Sequence, residues 1–318
     1  CPCALGLAVP AVSTAAVSRL FSAGYLVKHT TALERLAEVD HIVFDKTGTL
    51  TTPALTGLDR LNDAEQSIAK ALAQASHHPL SKALAASLPD VLPATLKDIQ
   101  EVAGQGVEGM FNGQPVQLGR GEWLGADFAG LGIKVGTVRA VQIEAQDHVR
   151  EGVVDALNGL KLPCEIITGD AKEPAMRLAE QLSLPVTFQA RPEDKLKRLN
   201  TLADDGHMVL MVGDGLNDTA ALASAHASIA PSSALEASRN AADVVALRET
   251  FADLPLVLAV ARATRKLSTQ NFAIAAVYNM IAVPIALAGF ATPLAAALAM
   301  SVSSITVLLN SQRMRFVR

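Results

Sequence analysis

At 318 residues the chain is long enough for two or three domains. Half of its residues are hydrophobic, only 18% are charged, and a mean hydropathy of +0.29 is high for a purely soluble protein, which puts part of the chain in a bilayer. A net charge of -4, without an aromatic-laced basic stripe, excludes nucleic acid as the expected partner. Three cysteines cannot build a fully paired disulfide framework, and Cys1 and Cys3 stand too close for an unstrained bridge. The thiols read as reduced.

The chain opens on "CPCALGLAVP", inside a run with no charge before Arg19. That run is about long enough for one membrane span, and Arg19 and Lys28 put its C-terminal end on the cytoplasmic side. With no starting Met and no basic residues ahead of it, the run does not read as a signal peptide, and the chain reads as the C-terminal part of a longer protein. Pro2 removes a backbone donor and unwinds the helix, so Cys1 and Cys3 can turn toward one point. Two thiolates in a low-dielectric bundle suit a soft ion such as Cu(I), whereas a lone thiol such as Cys164 reads as a small hydrophobe.

Next come three short apolar, β-branched runs that end in acidic or hydroxyl residues: "HIVFDKTGTLT", "CEIITGD" and "HMVLMVGDGLND". Helical patterns such as "EPAMRLAEQL" and "EDKLKRLNTLADDG" alternate with them, which predicts an α/β domain whose parallel sheet carries its site along the C-terminal strand edge. Residues 53–139 break the alternation with a helix and Gly-rich turns of their own, and so read as an inserted domain. The expected order is a membrane helix and stalk at 1–37, the α/β domain at 38–52 and 140–252, the insert at 53–139, and a stalk and membrane hairpin at 253–318.

That last segment carries no charge between Lys266 and Arg313, room for two spans of ~20 residues each with a break near "AGFATP" at Gly289 and Pro293. Arg262, Arg265 and Lys266 precede the pair, and Arg313, Arg315 and Arg318 follow it. Basic residues at both outer ends predict a hairpin with both ends in the cytoplasm.

A carboxylate at a strand end can act as a nucleophile where phosphate charge is neutralised around it. Asp45 is placed for that; Thr168 can donate to a phosphoryl oxygen, Lys195 can pair with its charge, Asp214 and Asp218 can hold Mg2+ with Asp45, and Asn217 can steady the cluster. Singly, each has a plainer reading as a helix cap, a turn or a solvated lysine. In this order, after three predicted strands, "DKTGTLT", "TGD" and "VGDGLND" resemble the P-type ATPases, ion pumps built on a haloacid-dehalogenase-like phosphorylation domain.

The resemblance implies catalytic roles for Asp45, Lys46, Thr47, Thr168, Gly169, Asp170, Lys195 and Asn217, with Mg2+ held at Asp45, Thr47, Asp214 and Asp218. It makes the insert an α+β nucleotide-binding domain in which His78, Pro79, Gly104 and Gly106 hold ATP. The heavy-metal branch commonly has Glu where this chain has Ala73 and His77, and Asn where it has Arg120. "CPC", Tyr278-Asn279, and Met300 with Ser304 resemble the Cu(I) motifs of that branch, above all in the copper pumps of bacterial cytochrome oxidase assembly. Zinc pumps place a carboxylate or Lys in the last two helices, and none occurs here.

The fold expected is therefore an α/β haloacid-dehalogenase-like phosphorylation domain with an inserted α+β nucleotide-binding domain, flanked by transmembrane helices. Its function would be export of Cu(I), or Ag(I), from the cytoplasm at the expense of ATP, in the bacterial inner membrane, with a cytoplasmic copper carrier as donor. Soluble phosphatases of the superfamily usually carry a general acid two residues after the nucleophile, where this chain has Thr47. The alternatives are such a phosphatase, a pump for another soft or transition metal, or a passive copper-binding membrane protein. No "TGE" of a dephosphorylating actuator loop occurs, so that domain is expected upstream.

Overall fold

A computed structural model describes residues 3–76, 78–128, 130–214, 218–234 and 236–317, without the side chains of Cys3 and Pro79. Two compact units emerge, one from residues 1–50 and 149–318, the other from Thr51–His148.

In the first unit, seven strands among the described residues order as β1 (Tyr25–Val27), β13 (Val244–Ala246), β12 (Ala227–Pro231), β11 (Val209–Val212), β2 (His41–Asp45), β9 (Cys164–Ile167) and β10 (Val186–Thr187). All neighbours run parallel except β1 against β13. Near-continuous apolar runs such as Val209–Val212 are buried on both faces, as a parallel sheet covered on both sides requires. One face packs in the cluster that includes Ile42, Phe44, Ile166 and Leu210, the other in the cluster that includes Val43, Ile167, Leu199 and Met211. The register sets Phe44 opposite both Val212 and Ile166, and Asp45 opposite Ile167. Residues 45, 168 and 213–214 therefore leave the sheet along a single edge.

Among the described residues, three helices of this unit are long and apolar enough to cross a membrane: α1 (Cys3–Ser22), α10 (Leu254–Leu287) and α11 (Pro293–Gln312). Ala4, Ala8, Val12, Ala16 and Leu20, spaced by four, form the buried stripe of α1, and small residues there let helix backbones approach. Gly289 in a left-handed conformation ends the turn after α10; the Thr292 side chain accepts from the Ala295 N–H and, with Pro293 as the first helical residue, starts α11.

The second unit is a six-stranded sheet ordered β3 (Thr51–Thr56), β8 (Val141–Val149), β7 (Leu131–Val135), β6 (Gln114–Arg120), β5 (Gly106–Phe111) and β4 (Lys97–Val102), antiparallel from β8 to β4. Two helices, α3 (Asp63–Gln74) and α4 (Pro79–Ser87), join it in a core that includes Ile68, Leu72, Leu84, Val116 and Ile133. An Asn62–Glu65 capping box starts α3. The sequence puts the insert at 53–139, but the unit extends to His148, because β8 pairs with β7 and completes its sheet. In "AVQIEAQDHV" Gln142 and Glu144 alternate with Val141 and Ile143, a two-residue strand period that a boundary drawn from composition does not register.

Candidate active site

The ends of three strands, β2, β9 and β11, and the starts of two helices, at Pro192 and Thr219, supply the site of the first unit. Asp45 ends β2, with 5% of its surface exposed. Lys195 lies in the first turn of α7 (Pro192–Asp204), where Pro192 and an Arg191–Asp194 capping contact fix the start of the helix. Its Nζ donates to Asp45 Oδ1 at 2.5 Å and to Asp218 Oδ1 at 2.5 Å. Oxygens of Asp45, Asp214 and Asp218 lie within 4.8 Å of one another.

Burial, then Asp218, push the Asp45 carboxyl up to about 7, against the pull of Lys195. The Asp214 carboxyl rises to about 6 for the same reasons, opposed by Arg150 and Lys195. Burial works against the Lys195 ammonium, but Asp45 and Asp218 outweigh it and raise its pKa. Three converging carboxylates with one ammonium between them leave negative charge in a buried place. Such a hard oxygen donor set fits Mg2+.

Beside this trio, Lys46 is buried and its Nζ donates to Asp170 Oδ2 at 2.5 Å, while the Thr47 hydroxyl donates to the same oxygen at 3.2 Å. Thr47 was expected at the Mg2+ site, yet its hydroxyl turns to Asp170. Thr168 is 1% exposed, and its Oγ1 accepts the Asp170 N–H at 3.2 Å. Gly169 lies close to the Ala190 carbonyl, 3.3 Å from where a Cβ would be. Asn217 falls outside the described residues.

Sequence reasoning missed why Gly48 must be glycine. Its φ is +71°, and a Cβ there would lie 1.6 Å from Asp214 Oδ2. The "GT" within "DKTGT" is the only local sign of that approach. Arg150 also escaped notice, because nothing in "DHVREG" marks it as a core residue.

In the second unit His78 caps α4: its Nδ1 accepts from the Leu80 N–H at 3.2 Å, and its own N–H donates to Ser76 Oγ at 3.1 Å. The Ser76 hydroxyl donates in turn to Glu101 at 2.7 Å, which brings the His78 turn to the end of β4, three residues before Gly104. Gly104 has open space around it, whereas a Cβ on Gly106 would lie 2.2 Å from the Leu118 carbonyl oxygen. Pro79 is the first residue of α4; its side chain and all of His77 lie outside the described residues. Ala73 is 1% exposed and packs in the core, and Arg120 is exposed at the end of β6.

Of the proposed metal ligands in the membrane helices, Cys1 and the Cys3 side chain lie outside the described residues. Tyr278 and Asn279 are half-buried on α10, and the Asn279 amide donates to the Ala275 carbonyl of its own helix at 2.9 Å. On α11 Met300 is 41% exposed and Ser304 half-buried, one turn apart. Cys164 begins β9, where burial pushes its thiol up to about 11.

A family model for haloacid dehalogenase-like hydrolases matches residues 39–226. Among curated proteins, the nitrogen fixation protein FixI of Rhizobium leguminosarum bv. viciae is 39% identical over 99% of this chain and 43% of its own length. A copper-exporting P-type ATPase of Mycobacterium tuberculosis strain H37Rv is 34% identical over 99% of this chain and 45% of its own. Among solved structures, a zinc-transporting PIB-type ATPase in its E2.Pi state superposes with a TM-score of 0.67 at 28% identity, covering 99% of this chain and 56% of that one. The catalytic CPx-ATPase domain CopB-B gives a TM-score of 0.56 at 28% identity over 78% of this chain and 98% of its own. The chain thus spans less than half the length of the curated relatives it matches.

Proposed function

This chain belongs to the haloacid dehalogenase-like hydrolases, and from that premise we propose that it is the catalytic and C-terminal membrane part of an ATP-driven Cu(I) pump. The observation that carries the reading is the buried meeting of Asp45, Asp214, Asp218 and Lys195 at the end of a parallel sheet. Asp45 attacks the γ-phosphorus of ATP through a carboxylate oxygen; the bond to the β–γ bridging oxygen breaks, ADP leaves with that electron pair, and Asp45 becomes an aspartyl phosphate. Lys195 holds Asp45 in place and then pairs with the phosphoryl charge, while Thr168 donates its hydroxyl to a phosphoryl oxygen. Asp45, Asp214 and Asp218, with Thr47 in the adjoining loop, would hold Mg2+, which would offset the charge of the phosphates. Lys46, tied to Asp170 with Thr47, and Gly169 fix the neighbouring loops, and Asn217 belongs to the same group.

Thr47 stands where the superfamily's phosphatases keep an acid, so the phosphoenzyme lasts long enough to be coupled to a conformational change. His78, Pro79, Gly104 and Gly106 form the ATP contacts of the inserted unit. Cys1, Cys3, Tyr278, Asn279, Met300 and Ser304 take Cu(I), delivered from the cytoplasm by a copper carrier, in a bacterial inner membrane. The absence of Asp, Glu, Lys and Arg between Lys266 and Arg313 favours Cu(I) over zinc, although one structural relative is titled zinc-transporting.

The test is acid-stable labelling from γ-labelled ATP in the full-length protein, comparing Cu(I), Ag(I) and Zn(II), with Asp45→Asn as control. Labelling driven by Cu(I) or Ag(I) and lost in Asp45→Asn is the expected result. Labelling driven by Zn(II), or independent of metal, overturns the copper assignment. Labelling that survives Asp45→Asn overturns the nucleophile.

A further inference from the structure

Arg150 is an unusual buried charge. It is 4% exposed, and among the described residues its guanidinium bonds go to backbone carbonyls. Nε donates to the Thr49 oxygen at 2.7 Å and one terminal nitrogen to the Gly48 oxygen, both in the loop just behind Asp45. The other terminal nitrogen reaches the Glu249 oxygen at 3.1 Å, five residues before α10 begins. The Phe251 ring lies 5.4 Å from the guanidinium carbon and closes it off.

The surrounding backbone is stitched to the same two segments. The Arg150 N–H donates to the Leu50 oxygen at 2.8 Å, and the Glu151 oxygen accepts from the Phe251 N–H and the Thr250 hydroxyl at 3.2 and 3.0 Å. Gly152, with φ +78°, leaves no room for a Cβ against Thr250 and Ala252. Burying a guanidinium costs desolvation that the neutral carbonyls, with the nearby Asp214 and Glu249 charges, only partly offset. A packed apolar side chain would avoid that cost, but it could not hold three carbonyls from two segments.

We infer that Arg150 is a positioning residue that ties the loop behind Asp45 to the root of α10, so that the setting of the phosphorylated loop and that of the membrane helix change together. The inference rests on the reading of Asp45 as nucleophile. The planar fork of Arg spans both segments at once; a Lys ammonium, a compact charge, cannot.

The experiment uses Arg150→Lys and Arg150→Ala in the full-length protein in detergent, with two readouts. In the first, amide hydrogen exchange speeds up together in peptides covering 46–50 and 249–253, while peptides within 97–135 are unchanged. In the second, phosphoenzyme formation at saturating ATP slows about 10- to 100-fold at unchanged half-saturating ATP, since a ~1 Å displacement of reacting groups costs on the order of 100-fold. Millimolar guanidinium restores the rate in Arg150→Ala and leaves the wild type unaffected. Exchange that rises in neither segment or in only one, or a rate that falls only in proportion to the folded fraction, overturns the inference. If Arg150→Ala does not fold, Arg150→Lys decides through the same readouts. Should the wild type form no phosphoenzyme, the functional reading fails, and the exchange data still decide whether Arg150 grips both segments.

Discussion

Gly48 shows how closely single residues constrain the site. A methyl group there would overlap Asp214 Oδ2, and the left-handed backbone at φ +71° adds strain of roughly 1–2 kcal/mol. Gly48→Ala is expected to lower phosphoenzyme formation on the order of 100-fold, because Asp214 must move away from Asp45. Gly113 has a similar φ of +79° and open space, so Gly113→Ala should leave the labelling rate unchanged; equal losses in both variants would count against the clash.

The carboxylates also predict a pH dependence. Folded-state pKa values of about 7 for Asp45 and about 6 for Asp214, raised from 3.8, mean that the folded state binds more protons than the unfolded state between roughly pH 4 and 7. Their contribution is full below the unfolded pKa and is lost as pH rises through the folded values. Metal-free protein should therefore lose melting temperature from this cluster between pH 5.5 and 8. Asp214→Asn should flatten the trend, and Mg2+ should restore stability at pH 8 by binding the folded form. A melting temperature that rises over this range in the wild type, or is unaffected by Mg2+, would contradict it.

Among the elements, the three membrane helices meet around Asn271, which is fully buried on α10. Its amide donates to the Ala8 carbonyl of α1 at 3.0 Å and to Ser311 Oγ of α11 at 3.1 Å, and its carbonyl accepts from the Asn310 amide at 2.9 Å. In a bilayer such polar contacts join helices, each contributing about 0.6–2 kcal/mol. Asn271→Leu leaves these partners unsatisfied, and a loss of about 1–3 kcal/mol is expected in detergent unfolding. No loss would mean that the apolar stripe of Ala8, Val12 and Ala16 holds the bundle without it. Asn271 lies in "TQNFA", where nothing local marks a helix junction, whereas Tyr278 and Asn279 farther along the same helix form a motif.

At the level of the molecule, the 51–148 unit has its own sheet and its own apolar core of Ile68, Leu72, Leu84, Val116 and Ile133. A single core of this kind can fold alone. The 51–148 segment expressed by itself should give a cooperative melt and saturable ATP binding, weakened several-fold by His78→Ala. A cooperative fold without ATP binding would remove the nucleotide role from His78, Gly104 and Gly106 while leaving the unit intact.

Elements with a local signal were legible in the amino-acid order. Apolar β-branched runs ending in Asp or Thr marked β2, β9 and β11, and an uncharged run long enough for two spans, interrupted at Gly289 and Pro293, marked α10 and α11. Packing brings the distant groups together: Lys195 between Asp45 and Asp218, Lys46 with Asp170, Arg150 across two segments, and Asn271 at the helix junction. The closing strand β8 also required it, since its pairing with β7, rather than its composition, assigns residues 141–148 to the insert. The physical reason is range. Periodicity and turn chemistry act over a few neighbouring residues, whereas a buried charge is satisfied by whatever the packed sheet brings within about 3 Å, from any distance along the chain.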